Sequence, residues 1–171
     1  GSVIAGNNVR INGGNVTSDG GTLLAKNAMA IDSAGNINNT NNALIKAGGD
    51  LALRAAGDIN NISAAIAGRA VDLNSVAGSI NNQTLAEQFS LDAKGRYGSV
   101  SLKDTLTGRT ATISAAEDLS LTAGKDITLT GASLKAGGDL LMDAKGDIAA
   151  NAIETHKAYA QSGFWRRTAT S

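Results

Sequence analysis

Apolar residues recur along this chain on three tracks that share one spacing. Within each track, neighbouring members lie 20 to 22 residues apart, except across one interruption near the middle of the chain. The tracks run through Val16, Ile37, Ile59, Ile80, Ile127 and Ile148; through Ile11, Ile31, Leu53, Leu73, Leu121 and Met142; and through Leu24, Ile45, Ile66, Ile113 and Leu134. A shared period of this length indicates an internal repeat and is typical of solenoid proteins.

Inside each repeat, apolar residues alternate with period two. In Leu51-Ala52-Leu53, for example, the two leucines are predicted to share one face of a β-strand. Each short strand is followed by Gly with Asp, Asn or Ser, residues that favour turns and bond their own backbone. We therefore predict an all-β parallel β-helix in which each coil holds three short strands, with successive coils about 4.8 Å apart.

The strands of the second track give the number of coils. They begin at Val9 and end at Met142, and the pair Phe89 and Leu91 is counted among them. This count predicts about seven coils of 20–22 residues and a rod of roughly 30–35 Å. The interior is expected to consist of Ile, Leu, Val and Ala, since aromatic residues make up only 3% of the chain.

One interval breaks the regular count. Leu91 and Leu121 are 121 − 91 = 30 residues apart, which exceeds one coil by about ten residues. We assign the excess to an insertion at about residues 94–112, predicted to be a loop or hairpin that protrudes from the stack. Repeat proteins often carry insertions on their binding face. The candidate binding residues here are Arg96, Tyr97, Lys103 and Arg109; the alternative is a solvated loop with ordinary charges.

Paired asparagines follow the isoleucine of three successive repeats. The pairs are Asn38-Asn39, Asn60-Asn61 and Asn81-Asn82. Stacked coils place these side chains above one another, so each amide is expected to donate a hydrogen bond to the next. We predict a structural asparagine ladder; the alternative is a polar binding stripe.

The segment 153–171 leaves the pattern, because it lacks the Gly-Asp corners. It is predicted to be either an irregular cap over the last coil or the start of a further repeat, since stacked coils expose strand edges that need covering. A partner or membrane-surface contact through Phe164, Trp165 and Arg166 is the other interpretation. His156 alone is neither a metal site nor a catalytic group.

Three segments are therefore expected: residues 1–2, interpreted as a cloning scar; the repeat β-helix at 3–152; and the tail at 153–171. The chain starts within the pattern, so it is expected to be a piece of a longer fibre, and its open ends are candidates for end-to-end self-association.

The amino-acid composition limits the kinds of binding partner and cofactor that this chain is expected to have. The net charge is zero, from 15 basic and 15 acidic residues, so no basic excess indicates a nucleic-acid partner. The chain has no Cys and no apolar run of membrane-spanning length, and its sequence predicts no signal peptide. Neither the leucine-rich pattern nor the calcium-binding G-G-x-G-x-D repeat is present, so no metal or other cofactor is expected.

The phrases AGGDLALRAAGDINN (47–61) and AGGDLLMDAKGDIA (136–149) resemble haemagglutinin repeats. Such repeats occur in filamentous haemagglutinins and in contact-dependent growth-inhibition exoproteins of the CdiA type from Gram-negative bacteria, and the resemblance covers about residues 5–151. It implies a right-handed parallel β-helix, two-partner secretion through an outer-membrane transporter, and a fibre that displays adhesive regions or carries a distant toxin domain. The tail resembles the less regular segments that interrupt such repeats.

The resemblance implies a structural and adhesive shaft segment of a secreted fibre at the bacterial cell surface. Such a segment serves cell contact or toxin delivery and meets a target-cell receptor or glycan. Its haemagglutinin and growth-inhibition relatives leave open which of these roles applies.

Two other functions stay open at this point. A heparin-like glycan is one ligand for a basic insertion, with candidate residues Lys94, Arg96, Lys103 and Arg109. Polysaccharide-degrading enzymes also use parallel β-helices, but their chemistry needs converging acids. The nearest cluster is Asp92, Lys94, Arg96 and Asp104, while the other carboxylates recur at corners. We therefore predict no catalytic residues and no enzyme activity.

Overall fold

The chain folds as a stack of coils, each built from three short strands. The computed structural model describes residues 2–95, 98–107, 110–151 and 158–162; for 86–95, 98–107, 151 and 158–162 it describes the backbone alone. All regular elements of the described residues are β-strands, as the period-two alternation predicts.

The strands follow the repeat along the sequence. The first two coils hold β1 (Val3–Gly6), β2 (Val9–Gly13), β3 (Val16–Asp19), β4 (Thr22–Ala25), β5 (Met29–Ser33) and β6 (Ile37–Thr40). The next two hold β7 (Leu44–Ala47), β8 (Leu51–Ala55), β9 (Ile59–Ile62), β10 (Ala65–Gly68), β11 (Val71–Ser75) and β12 (Ile80–Gln83).

Two long strands interrupt the series before it resumes. They are β13 (Ala86–Gly95) and β14 (Gly98–Thr107). The later coils hold β15 (Thr112–Ala115), β16 (Leu119–Ala123), β17 (Ile127–Thr130), β18 (Ser133–Ala136), β19 (Leu140–Ala144) and β20 (Ile148–Asn151), and the last described strand is β21 (Ala158–Ser162).

Equivalent strands of successive coils form three parallel sheets. Sheet A has the order β1-β4-β7-β10-β15-β18, sheet B the order β2-β5-β8-β11-β16-β19-β21, and sheet C the order β3-β6-β9-β12-β17-β20. The described part of the chain thus makes six complete coils and a seventh strand in sheet B. This confirms the parallel β-helix and the count of about seven.

The pairing register confirms two of the apolar tracks and corrects the third. Leu23, not Leu24, pairs with Ile45 and is 6% exposed, whereas Leu24 pairs with Lys46. The error has a local cause. The corner containing Asn41 and Asn42, both at positive φ (55° and 64°), makes that coil one residue longer than the next. The spacing is therefore 45 − 23 = 22 at this step and 66 − 45 = 21 at the next.

The core is a column of aliphatic side chains enclosed by the three sheets. Ile31, Leu53 and Leu73 are typical, with 1% or less of their surface exposed. Two methionines, Met29 and Met142, join the Ile, Leu, Val and Ala predicted from the composition. Burying each large aliphatic side chain contributes about 1.5–3 kcal/mol.

The insertion is an antiparallel hairpin made of β13 and β14, and it is longer than predicted. Strand β11 pairs directly with β16, where Leu73 lies beside Leu121. Phe89 and Leu91 belong to the hairpin, where they pair with Asp104 and Leu102. Counting them as a coil of sheet B was therefore wrong, and the hairpin begins at Ala86, before the predicted start at residue 94.

Buried alanines at the corner between sheets C and A give the length of the insertion. Ala43 and Ala64 are 64 − 43 = 21 residues apart, Ala64 and Ala111 are 111 − 64 = 47 apart, and Ala111 and Ala132 are again 21 apart. The excess of 47 − 21 = 26 residues corresponds to 85–110. An insertion of 26 residues is long enough to contain one coil of 20–22 residues. This is why part of the hairpin was counted as one more repeat.

Strand β21 brings part of the tail into the stack. It pairs in parallel with β19, with Leu140 beside Ala158 and Ala144 beside Ser162. Residues 152–157 and 163–171 lie outside the described residues, so the alternatives of cap and further repeat stay predictions for the segment as a whole.

Candidate functional site

The asparagine pairs form two separate columns, one on each face of sheet C. The outer column contains Asn38, Asn60 and Asn81, which are part-exposed. Asn60 Nδ2 donates to Asn38 Oδ1 at 2.8 Å, and Asn81 Nδ2 donates to Asn60 Oδ1 at 2.8 Å. The hydrogen bonds of this outer column run from each coil to the one before it.

The inner column lies within the core. Asn39, Asn61 and Asn82 are fully buried. Asn39 Nδ2 donates to Asn61 Oδ1 at 3.0 Å, and Asn61 Nδ2 donates to Asn82 Oδ1 at 2.9 Å. The same amides also reach backbone carbonyls, such as Ala64 O at 3.0 Å from Asn61 Nδ2. The inner column thus ties sheet C to the corner that leads into sheet A.

One atom of the inner column has no partner. Asn39 Oδ1 is buried and accepts no hydrogen bond among the described residues. The strand before it places Ser18 at the corresponding position, 8% exposed. The serine side chain is one bond shorter in reach than an asparagine amide, so the column stops there.

Ser18→Asn is expected to extend the inner column by one residue. An amide at this position stands in the register that joins Asn39 to Asn61, and its Nδ2 is expected to donate to Asn39 Oδ1. Satisfying a buried acceptor is worth about 1 kcal/mol of unfolding free energy, measured by urea denaturation. Ser18→Leu fills similar space without a donor, and an equal gain from that variant would contradict the explanation.

A further column joins the corners between sheets B and C. There the side-chain oxygen of Asn or Asp accepts the backbone N–H of the next coil. The bonds are Asn36 N to Asn15 Oδ1 (2.9 Å), Asp58 N to Asn36 Oδ1 (2.8 Å), Ser79 N to Asp58 Oδ1 (2.8 Å) and Asp147 N to Asp126 Oδ1 (2.8 Å). The sequence prediction that these residues bond their own backbone was wrong. The spacing of about 21 residues between the Gly-Asn and Gly-Asp pairs could have indicated bonds to the next coil.

A glycine precedes several of these corner residues and makes room for the column. A Cβ on Gly57 would contact Asn36 Oδ1, the atom that accepts the N–H of Asp58. In Gly57-Asp58, the aspartate accepts a hydrogen bond from the backbone of the next coil. The glycine leaves room for the side-chain acceptor of the previous coil.

The base of the hairpin is closed by Thr84. Its Oγ accepts from Ala111 N at 2.9 Å and donates to Gly131 O at 2.7 Å. Ser63 Oγ also accepts from Leu85 N at 2.9 Å. These bonds hold the two ends of the insertion together at the corner between sheets C and A, so the coils before and after the insertion stack without a break.

The candidate binding residues fall mostly outside the described residues. Arg96, Tyr97 and Arg109 lie there, as do the tail residues Phe164, Trp165 and Arg166. Lys103 lies on β14, where it pairs with Ser90 across the hairpin. Their grouping into a binding surface stays a prediction.

Charged residues of the coils lie on the outer surface. Arg69 Nη2 meets Asp50 Oδ1 at 3.0 Å, and this hydrogen bond raises the pKa of Arg69. Asp72 lies on the outer face of sheet B between Ala52 and Ser120. Burial raises the pKa of Asp72 above its usual value, so its ionised form is disfavoured in the folded chain.

Asp72→Asn is expected to raise the melting temperature at pH 7 and to have no such effect near pH 3. The folded chain binds the Asp72 proton more tightly than the unfolded chain does, because its folded-state pKa is raised. Ionisation therefore lowers stability as pH rises through that pKa, and the cost is fully present at neutral pH. Thermal melts at both pH values measure the difference, and an equal shift at both would contradict this reasoning.

Within the residues that the structure describes, no three His, Asp or Glu side chains come together in a group able to hold a metal ion. The same part of the chain has no helix long and apolar enough to cross a membrane.

Comparison with known proteins matches this chain to one repeat family and to several CdiA proteins. The model of the hemagglutinin repeat family matches residues 1–164. The chain is 50% identical over 167 residues to the tRNA nuclease CdiA of Escherichia coli O6:K15:H31 (strain 536 / UPEC), covering 96% of this chain and 5% of that protein. It is 48% identical over 134 residues to the 16S rRNA endonuclease CdiA of Enterobacter cloacae, covering 78% and 4%. For the deoxyribonuclease CdiA of Dickeya dadantii the identity is 44% over 139 residues, covering 81% and 4%.

The chain thus spans about 5% of the length of these relatives. No solved structure gives a significant match. The family match confirms the resemblance first seen in the two Gly-Asp phrases, and the three parallel sheets agree with the fold that it implies. This chain therefore belongs to the hemagglutinin repeat family.

Proposed function

We propose that this chain is a shaft segment of a secreted surface fibre of the CdiA type, with a structural and adhesive role in contact between cells. The observation that carries the proposal is the unbroken stacking of coils. Three parallel sheets, the corner columns and the asparagine columns all join one coil to the next. Such a chain grows in one dimension as repeats are added, and the seven strands of sheet B span roughly 30 Å.

The carboxylates of the corners support a non-enzymatic role. Asp58, Asp118 and Asp126 each accept a backbone N–H from the following coil. They are spread along the stack at the repeat spacing and serve its packing. The nuclease names belong to relatives of which this chain matches one twentieth, and we propose that such activity lies elsewhere in proteins of that kind.

The inserted hairpin is proposed as the contact element of the shaft. It leaves the stack at one corner, and its base is closed by Thr84 so that the coils continue beneath it. Its register pairs Leu91 with Leu102 and Ser90 with Lys103. Insertions in repeat proteins commonly carry the binding residues, here Arg96, Tyr97, Lys103 and Arg109, with the tail residues Phe164, Trp165 and Arg166 as the second candidate.

The partners follow from the same proposal. The parent protein is exported through an outer-membrane two-partner-secretion transporter and exposed at the cell surface, where the fibre meets a receptor or glycan of the target cell. Family membership and the CdiA relatives support this context.

Deleting residues 85–110 tests the role of the hairpin. Joining Thr84 directly to Ala111 reproduces the Ser63–Ala64 junction of the preceding coil. Deleting residues 22–43 joins Gly21 to Leu44, the partner of Thr22 in the next coil, and removes one complete coil, which makes a matched control. Binding of the labelled chain and of both variants to target bacteria is measured by flow cytometry, with circular dichroism to verify folding.

The proposal expects binding to fall strongly without the hairpin and to persist without the coil. Binding kept by both variants would move the contact to the tail around Trp165. Equal loss in both variants would contradict the division into an inert shaft and a contact element.

A further inference from the structure

One corner between sheets B and C is longer than the corners stacked next to it. Between sheets B and C, the inward residues Leu73 and Ile80 are 80 − 73 = 7 positions apart, whereas Leu53 and Ile59 are 59 − 53 = 6 apart. The next coil spans the extra residue: Gly124 N bonds Ser75 O at 2.8 Å, and Lys125 N bonds Gly78 O at 2.8 Å. The corner therefore bulges, and the Val76 side chain is 44% exposed.

A groove of about 300 Å³ lies beside this bulge on the outer face of sheet B. It crosses four coils, from Arg54 to Asp143. Gly124 forms part of it, and a Cβ at that position would contact Val76 O. Its lining includes the side chains of Arg54, Asn74, Val76, Thr122, Asp143 and Lys145.

The polar side chains of this groove are available to a ligand. Among the described residues, Asn74, Thr122, Asp143 and Lys145 form no side-chain hydrogen bond or ion pair. Arg54 has one long contact, 3.9 Å from Nη1 to Asp32 Oδ2. On sheet C, by contrast, identical asparagines stack and satisfy one another. The groove has no such column, because the register places unlike side chains above one another in the order Arg54, Asn74, Thr122 and Asp143.

We propose that this groove binds an acidic saccharide, such as a uronic or sialic acid unit of a glycan. Among the lining residues, Arg54 and Lys145 outnumber the single carboxylate of Asp143, so two cationic groups face a carboxylate of the ligand. Asn74, Thr122 and Asp143 supply the donors and acceptors that sugar hydroxyls need. Val76 offers an apolar surface for the C–H face of a ring.

A peptide fits this groove less well. Peptides that bind sheets commonly pair with an exposed strand edge. Strand β11 lies between β8 and β16, so its backbone groups are already paired on both sides. Recognition here depends on side chains. That the glycan lies on the surface of a target cell rests on the proposed function.

The test uses the full chain, and substitutions in the groove separate binding there from binding by the hairpin. The probes are tri-galacturonic acid and sialyllactose, titrated at 150 mM salt and followed by calorimetry. We expect saturable binding of at least one probe, weakened at least tenfold by Arg54→Gln and by Lys145→Gln. Arg10→Gln, on the outer side of sheet B in the first coil, is the matched control and is expected to change the affinity less than twofold.

Reduction of the probe carboxylates to alcohols is expected to weaken binding at least tenfold. Absence of saturable binding by both probes would overturn the inference, as would equal weakening by Arg10→Gln. Tighter binding of an oligoglutamate peptide would assign the groove to acidic peptides and overturn it as well. Because the groove substitutions leave the hairpin intact, failure here leaves the cell-binding result for the hairpin unaffected.

Discussion

Asn61→Ala is expected to destabilise the chain by about 3–5 kcal/mol. Asn61 is fully buried at the centre of the inner asparagine column. Its loss leaves Asn82 Oδ1 without its donor and removes the bond to Ala64 O. It also leaves a cavity between sheet C and the corner. The unfolding free energy from urea denaturation measures the effect.

Asn60→Ala is the matched control, because it removes the neighbouring amide from the outer column. Asn60 also bonds one asparagine on either side, Asn38 and Asn81, at 2.8 Å each, but water reaches this face of sheet C. Its loss is expected to cost about 1 kcal/mol or less, since water replaces the broken hydrogen bonds. Equal losses at positions 60 and 61 would contradict the distinction between an exposed and a buried column.

Gly137→Ala is expected to cost about 2–4 kcal/mol. An added Cβ would fall on the carbonyl oxygen of Ala116 in the preceding coil. Backbone cannot rotate away as a side chain can, so the two coils must separate at that corner. The hydrogen bond from Gly137 N to Ala115 O, 3.0 Å long, is strained by the same movement. Thermal melting of the purified variant measures the loss.

Gly14→Ala separates the effect of space from that of backbone freedom. No atom lies within 4 Å of a Cβ at Gly14, and its φ is not in the left-handed region. This substitution is expected to change stability by less than about 0.5 kcal/mol, as at other open surface positions. A loss comparable to that of Gly137→Ala would show that overlap with the preceding coil is not the cause.

The stacking of coils was predictable from the sequence because burial repeats at a constant interval. Ile37, Ile59 and Ile80 are partners in neighbouring strands of sheet C, as their spacing predicted. Only strands that stack in parallel keep such residues above one another. The tracks therefore predicted sheet order as well as strand positions.

The two asparagine columns were not separated by sequence reasoning. Asn39 lies two positions after Ile37, so period two places it on the same inward face, and Asn38 on the outer face. The sequence prediction treated each pair as one ladder, because stacked coils place both asparagines of a pair above those of the next coil. Burial is tolerated here because the amides of adjacent coils, together with backbone carbonyls, supply hydrogen-bond partners.

The length of the insertion was underestimated for a different reason. The hairpin alternates apolar and polar residues as a coil strand does. Phe89 and Leu91 lie two positions apart, like the apolar pairs of the second track, although Leu91 follows Leu73 by only 91 − 73 = 18 residues. Local period does not distinguish a parallel partner in the next coil from an antiparallel partner in the same hairpin. The 47-residue interval between the buried corner alanines Ala64 and Ala111 does distinguish them, because it shows how many residues leave the stack.

The hydrogen bonds that join the coils lie along the axis of the rod, and this determines how it responds to a pulling force. Tension along the axis opens one interface at the end of the stack while the other coils stay paired. A coil of 21 residues that peels away exchanges about 4.8 Å of rod for roughly 70 Å of extended chain. The interval of 47 residues that contains the hairpin releases more than twice that length. Under load, such a rod lengthens in discrete steps and keeps the remaining coils intact.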